Sequence, residues 1–148
     1  MIKQIIYIFN LHKNNENIQE LIKNILSDMP IFLNSEKCLS SMAKFLTSDT
    51  DNEILEILIL SLESFCLNYY KKIEEVNKER KPLQNLLDNF ITELFNLLKH
   101  QNSEIRKRAL FCCVDIYTVI GKELDNFISK LPNAQQNLIR LYIKKRVG

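Results

Sequence analysis

The chain has 148 residues, a length suited to one domain, of which 46% are hydrophobic and 26% charged, as in an ordinary globular protein rather than a disordered one. With two Gly and three Pro it cannot be collagen-like or low-complexity, and it lacks the glycines of β-sandwich turns and of Rossmann or P-loop phosphate sites. A net charge of +2 gives no bulk electrostatic case for nucleic acid.

Segment 2–10 (IKQIIYIFN) is rich in β-branched residues, which permits a strand. A lone strand in a helical chain has no partner, so the segment is read as helix. It is apolar but contains Lys3 and Gln4, and no A-x-A cleavage site follows, so neither a signal peptide nor a membrane span is expected. Over 17–29, Ile18, Leu21, Ile22, Ile25, Leu26 and Met29 share a helical face, with Asn17 as N-cap and Pro30 as the stop. A third helix over 36–47 aligns Leu39, Met42, Ala43 and Leu46. Thr50-Asp51-Asn52-Glu53 fits a capping box that opens the most apolar segment, ILEILILSLESFCL (54–67). Apolar residues surround most of that helix, which predicts burial on more than one side.

From Asn68 to Lys81 the chain turns polar, either extending the helix into solvent or forming a mobile connection. The mixed-sign run Lys71–Lys81 reads as a solvated face. Pro82 suits the first turn of a new helix, whose stripe is Leu83, Leu86, Leu87, Phe90, Ile91, Leu94 and Leu98. KHQNS (99–103) breaks the pattern, with Asn102 or Ser103 as the next N-cap. Ile105, Ala109, Cys112, Cys113, Ile116 and Val119 or Ile120 form the following buried face, and Gly121 stands where a C′ glycine belongs. A short helix over 122–131 ends at Pro132, and a last one covers about 134–146.

Paired, these helices form a repeat: roughly 1–33, 35–81 and 83–121 each read as helix, polar turn, helix, followed by closing helices over 122–146. A spacing of about 40 residues is the HEAT or armadillo period. Such pairs bury their faces by stacking, which predicts an all-α solenoid, with an ordinary helical bundle as the alternative.

No catalytic constellation emerges, and no cofactor or metal site is expected. His12 and His100 fall in turns without metal-ligand spacing and read as surface histidines. Cys38, Cys66, Cys112 and Cys113 lie among apolar residues with no CxxC pair, which predicts buried free thiols. Ile2, Ile5, Ile6, Ile8 and Phe9 could supply an apolar N-terminal stack face, and self-association through it is expected.

Two motifs near the end are more specific. Tyr117, Val119, Ile120, Gly121, Glu123 and Leu124 fit an "IY-x-VIG-x-EL" stretch, and Leu141, Tyr142, Ile143 and Lys144 fit a closing "LL-x-LYIKR" helix. SEIRKRALFCCVDIYTVIGKEL (103–124) also resembles the second helix of a HEAT repeat. Together these resemble the C-terminal TOG-like HEAT domain of the CLASP family. The likeness is specific over 103–146 and weaker upstream, where SEKCLSSMAKFLTS (35–48) resembles the preceding repeat. The chain has room for fewer repeats than a whole TOG domain, and it lacks the Trp that a first tubulin-binding repeat often presents.

The resemblance implies a non-catalytic module that binds tubulin or plus-end, kinetochore or cortical adaptor proteins, with a place on cytoplasmic microtubules and the spindle. It implies that the turns between paired helices line one edge, here Lys13, Ser48, Thr50, Lys99, His100 and Asn102, with Arg106 and Lys107 opening the next helix. A basic edge suits an acidic partner. It also implies a docking tail at Arg140, Lys144, Lys145 and Arg146, although cations in a last helical turn are expected from the helix dipole alone. The alternative is a HEAT scaffold of a trafficking or regulatory complex with no link to microtubules, since fold does not decide function.

Overall fold

The computed structural model describes the backbone over 2–33, 36–75, 87, 88 and 90–147, and the side chains over 2–26, 28, 40–68, 87, 88 and 90–146. Within these residues the chain is helical and contains no strand. The helices are α1 (Ile2–Leu11), α2 (Glu16–Leu33), α3 (Glu36–Ala43), α4 (Asn52–Glu75), α5 (Ile91–Asn96), α6 (Ser103–Ile120), α7 (Lys122–Ile128) and α8 (Asn133–Val147). A 3-10 turn, Leu97–Lys99, continues α5.

Ile2, Ile6 and Phe9 are spaced i, i+4, i+7 and form the buried stripe that seats α1 on α2. The residues expected to supply the N-terminal stack face are therefore corrected at Ile2, Ile6 and Phe9. Its apolar residues are largely spent inside the molecule, and Ile8 is the exposed member of the set at 44%. The expected stop at Pro30 is also corrected, because α2 runs through it to Leu33. A helical proline removes the N–H that would bond the carbonyl four residues earlier. Here that carbonyl, Leu26 O, accepts a hydrogen bond from the Ser61 hydroxyl of α4.

α3 ends at Ala43, short of the expected 47. Bonds from Phe45 N to Met42 O and Leu46 N to Ala43 O tighten the chain into a turn that keeps Leu46 buried. The start of α4 also differs from the capping box expected at Thr50. Asp51 is the cap, its carboxylate accepting from Glu53 N at 2.9 Å, while the Thr50 hydroxyl lies 3.4 Å from that of Thr47. The multi-sided burial expected of α4 is present: Ile54, Leu55, Leu58, Ile59 and Leu62 are all sealed from solvent. The reason is its position, with α2 on one side and α6 on the other. The helix continues past Leu67 through the polar sequence to Glu75.

Pro82, Leu83 and Leu86 of the next expected stripe lie outside the described residues, as do all of the Lys71–Lys81 side chains. Its remainder is buried at Leu87, Phe90, Ile91 and Leu94 and half-buried at Leu98. Asn102, not Ser103, caps α6, accepting from Glu104 N at 2.8 Å and Ile105 N at 3.3 Å. The expected α6 face is buried from Ile105 to Ile120. Gly121 adopts φ 72°, ψ −127°, a backbone shape that side chains with a Cβ rarely take, and its N–H closes α6 onto Tyr117 O at 2.8 Å. α7 stops at Ile128, short of the expected 131.

α2, α4, α6 and α8 pack successively, each on the next. That row is the all-α, solenoid-like architecture predicted from the sequence, and it brings the intervening turns to one place.

Candidate protein-binding edge

The turn after α1 and the turn before α4 are joined by a side-chain pair. Lys13 Nζ donates to Asp51 Oδ2 at 2.7 Å. Asp51 thus serves two elements, capping α4 with Oδ1 and holding Lys13 with Oδ2. Burial pushes its carboxyl up, but the bonds from Lys13 and from the Glu53 and Ile54 amides outweigh this and hold it below the ordinary value.

The second of these turns faces the third, before α6, across a groove of about 430 Å³. Leu46, Thr47 and Ser48 line one wall; Lys99, His100 and Gln101 are on the other. Among the expected edge residues, Lys13, Ser48, Lys99, Arg106 and Lys107 are exposed, and Thr50 and Asn102 are half-buried.

His100 corrects its expected reading as a surface histidine. It is 6% exposed, and its Nδ1 accepts from Asn102 N at 3.0 Å, which closes the turn. In the neutral ring that bond assigns the proton to Nε2, a buried atom without a hydrogen-bond partner among the described residues. Its role in the turn is therefore internal. Sequence could not show this, because a histidine among polar residues has no apolar periodicity to betray burial.

The cations of the edge are also partly committed. Arg106 Nη1 donates to His100 O at 2.6 Å and Gln101 O at 3.0 Å, pinning the turn to α6. Lys107 Nζ stands 5.8 Å from the Phe111 ring centroid. Lys99 is exposed and has no acidic partner among the described residues.

The tail residues gather on α8 but divide in the same way. Arg140 donates to Asp125 Oδ1 of α7 at 3.0 Å, and Arg146 pairs with Asp115 of α6. Arg146 also stands 6.0 Å above Phe111, whose ring meets Tyr142 edge-on at 5.9 Å. Lys145 Nζ lies 5.2 Å over the Tyr142 ring, and Lys144 is exposed. The partners Asp115 and Asp125 were missed in the sequence, because each is separated from its arginine by a change of helix.

The thiols of Cys66, Cys112 and Cys113 are free and buried, as predicted, and burial pushes all three well above the ordinary thiol range. The Cys38 side chain lies outside the described residues. Among the described residues no three His, Cys, Asp or Glu side chains cluster as metal ligands, and no helix is long and apolar enough to cross a membrane.

No family model matches the chain. Against CLIP-associating protein 1-A of Xenopus laevis it is 37% identical over 75 residues, 51% of this chain and 5% of that protein. Against CLIP-associating protein 1 of Xenopus tropicalis the identity and coverage are the same, 37% over 75 residues. The CLIP-associated protein of Arabidopsis thaliana is 23% identical over 133 residues, 90% of this chain and 8% of that protein. The relatives are CLIP-associating proteins. These names agree with the CLASP resemblance of the closing motifs, and the Arabidopsis match, at 133 residues, is longer than the segment 103–146. The chain matches only 5% to 8% of the length of these CLASP relatives.

Proposed function

We propose that this chain is a non-catalytic, HEAT-type protein-binding module of a microtubule-associated protein, and that it presents its turn edge to tubulin. Its repeats are 1–33, 35–81 and 83–121, closed by helices over 122–146. The observation that carries the reading is the continuity of the edge. Lys13 ties the first turn to the second, and the groove between Ser48 and Lys99 joins the second to the third. The CLASP resemblance read in the closing motifs implies the microtubule context, and with it a cytoskeletal location.

Docking is electrostatic and polar rather than apolar. Thr47, Ser48, Asn96, Lys99 and Gln101 are the exposed groove residues, and an acidic protein surface complements Lys99. Arg106 is a support of this edge, since replacing it also releases the carbonyls of residues 100 and 101.

The test is size-exclusion co-elution of the chain with unpolymerised tubulin at low and physiological salt. Co-elution that weakens with salt, and is lost in Lys99→Glu combined with Ser48→Glu, is the expected result. Co-elution unchanged by that double substitution, or absent at both salts, overturns it. In the latter case the second reading, docking of an adaptor protein at α8, takes its place. Lys144 and Lys145 favour that reading, because no carboxylate among the described residues engages them.

A further inference from the structure

The row α2–α4–α6–α8 leaves large apolar side chains uncovered at both of its ends. At the first end, Tyr7 and Leu11 on α1 are 63% and 61% exposed, and Leu21 and Ile25 on α2 are 60% and 42% exposed. Each pair is spaced i, i+4, so each forms one face of its helix. At the other end, α8 packs Ile139, Tyr142 and Ile143 against the core while Leu138 and Leu141 stay 42% and 48% exposed.

The two ends differ in charge. α2 carries Glu16, Glu20 and Asp28, all exposed, and its lone cation, Lys23, lies 3.6 Å from Glu53 of α4, while α1 adds one exposed cation, Lys3, four residues before Tyr7. α8 carries Arg140, Lys144, Lys145 and Arg146 and no carboxylate. Arg140 and Arg146 are paired inside the molecule, which leaves Lys144 and Lys145 beside Leu141 on the face turned from α6. The first end is thus apolar with a net acidic flank, three exposed carboxylates against Lys3, and the other is apolar with a basic flank.

We propose that copies of this chain stack head to tail, the α8 end of one against the α1–α2 end of the next. A two-fold contact would set acid on acid or base on base, whereas the head-to-tail contact sets opposite charges around two apolar patches. It continues the packing already present inside the molecule, where each even-numbered helix lies against the next. A contact between unlike faces does not close on itself, so assemblies lengthen with concentration. The contact uses neither wall of the turn groove, so it stands apart from the tubulin reading.

The experiment is sedimentation velocity on the full chain over a concentration series at low and high salt. Two variants each remove one face: Leu21→Lys with Asp28→Lys, and Leu141→Asp with Lys144→Glu. All four positions are exposed, and circular dichroism checks the fold. If either variant unfolds, the single changes Glu20→Lys and Lys145→Glu replace them. The wild-type average mass is expected to rise about twofold or more with concentration and to fall with salt. Each variant alone should stay monomeric. Mixed one to one, they should form a pair that grows no further, because each supplies the face the other lacks. Wild-type protein that remains monomeric throughout overturns the proposal. So does association that either variant retains alone, or variants that do not pair when mixed.

Discussion

Ser61 Oγ lies 3.0 Å from the main-chain oxygen of Leu26, the acceptor that Pro30 cannot serve. The same hydroxyl is 2.8 Å from Ile57 O in its own helix, so its proton is shared between the two carbonyls. Ser61 is 1% exposed and Leu26 is fully buried, so water cannot substitute. Ser61→Ala should lower stability by about 1–3 kcal/mol, the usual penalty for an unsatisfied buried acceptor. Pro30→Ala restores the missing N–H, and in that background the Ser61→Ala cost should shrink. Urea denaturation of the four proteins in this cycle measures the coupling. An equal cost in both backgrounds would show that Ser61 does not compensate for the proline.

Asp51 combines a helix cap with a turn-to-turn tie, and two substitutions separate them. Asp51→Asn keeps the cap oxygen and removes the charge; Asp51→Ala removes both. The alanine variant should lose about 1 kcal/mol more than the asparagine variant, the worth of a cap. The folded carboxyl is held below its ordinary value of 3.8, so its contribution is present above that pH. It disappears as pH falls through the folded value, and Asp51→Asn should flatten the acid limb of a stability-against-pH curve.

Glu63 behaves oppositely. Half-burial pushes its carboxyl above the ordinary 4.5, with Arg146 and Arg108 offsetting part of the effect. A raised folded value means that ionisation opposes folding once pH exceeds 4.5. Glu63→Gln should therefore melt higher than wild type at about pH 7, and the difference should vanish at about pH 4. A glutamine variant that melts lower at neutral pH would show that the arginines outweigh burial.

The buried thiols give a chemical readout of the core. Iodoacetamide in mildly alkaline buffer should modify Cys66, Cys112 and Cys113 slowly in native protein and rapidly in urea, because reaction needs the thiolate. Peptide mass spectrometry resolves the three sites. Fast native labelling of Cys113 would show that α6 opens well below the global unfolding transition.

Gly121 links α6 to α7 at positive φ, although a methyl group added there would meet no other atom within 4 Å. Gly121→Ala should cost about 1 kcal/mol or somewhat more, through backbone strain rather than collision. Thermal denaturation checks this. A neutral alanine would mean that the α6–α7 corner relaxes.

Helix identity was legible in the residues themselves. The stripes at Ile22 and Leu26, at Ile54 to Leu62 and at Ile105 to Ile120 repeat with the period of a helix, and burying such a stripe is favourable in any all-α packing. The closing motifs around Tyr117–Leu124 and Leu141–Lys144 likewise carried the CLASP likeness before any coordinates. What periodicity could not reach was the satisfaction of individual polar groups. Pro30 looked like a stop because the rescuing hydroxyl lies on another helix. His100 looked exposed because the turn folds inward on its own ring nitrogen. The basic edge looked free because Asp51, the carbonyls of residues 100 and 101, and the rings of Phe111 and Tyr142 engage its cations and those of the tail only after the helices have stacked. Local sequence fixes which face of a helix is apolar, since that follows from one repeating angle. Which charges remain available to a partner depends on groups far apart in the chain, and only tertiary packing brings those within bonding distance.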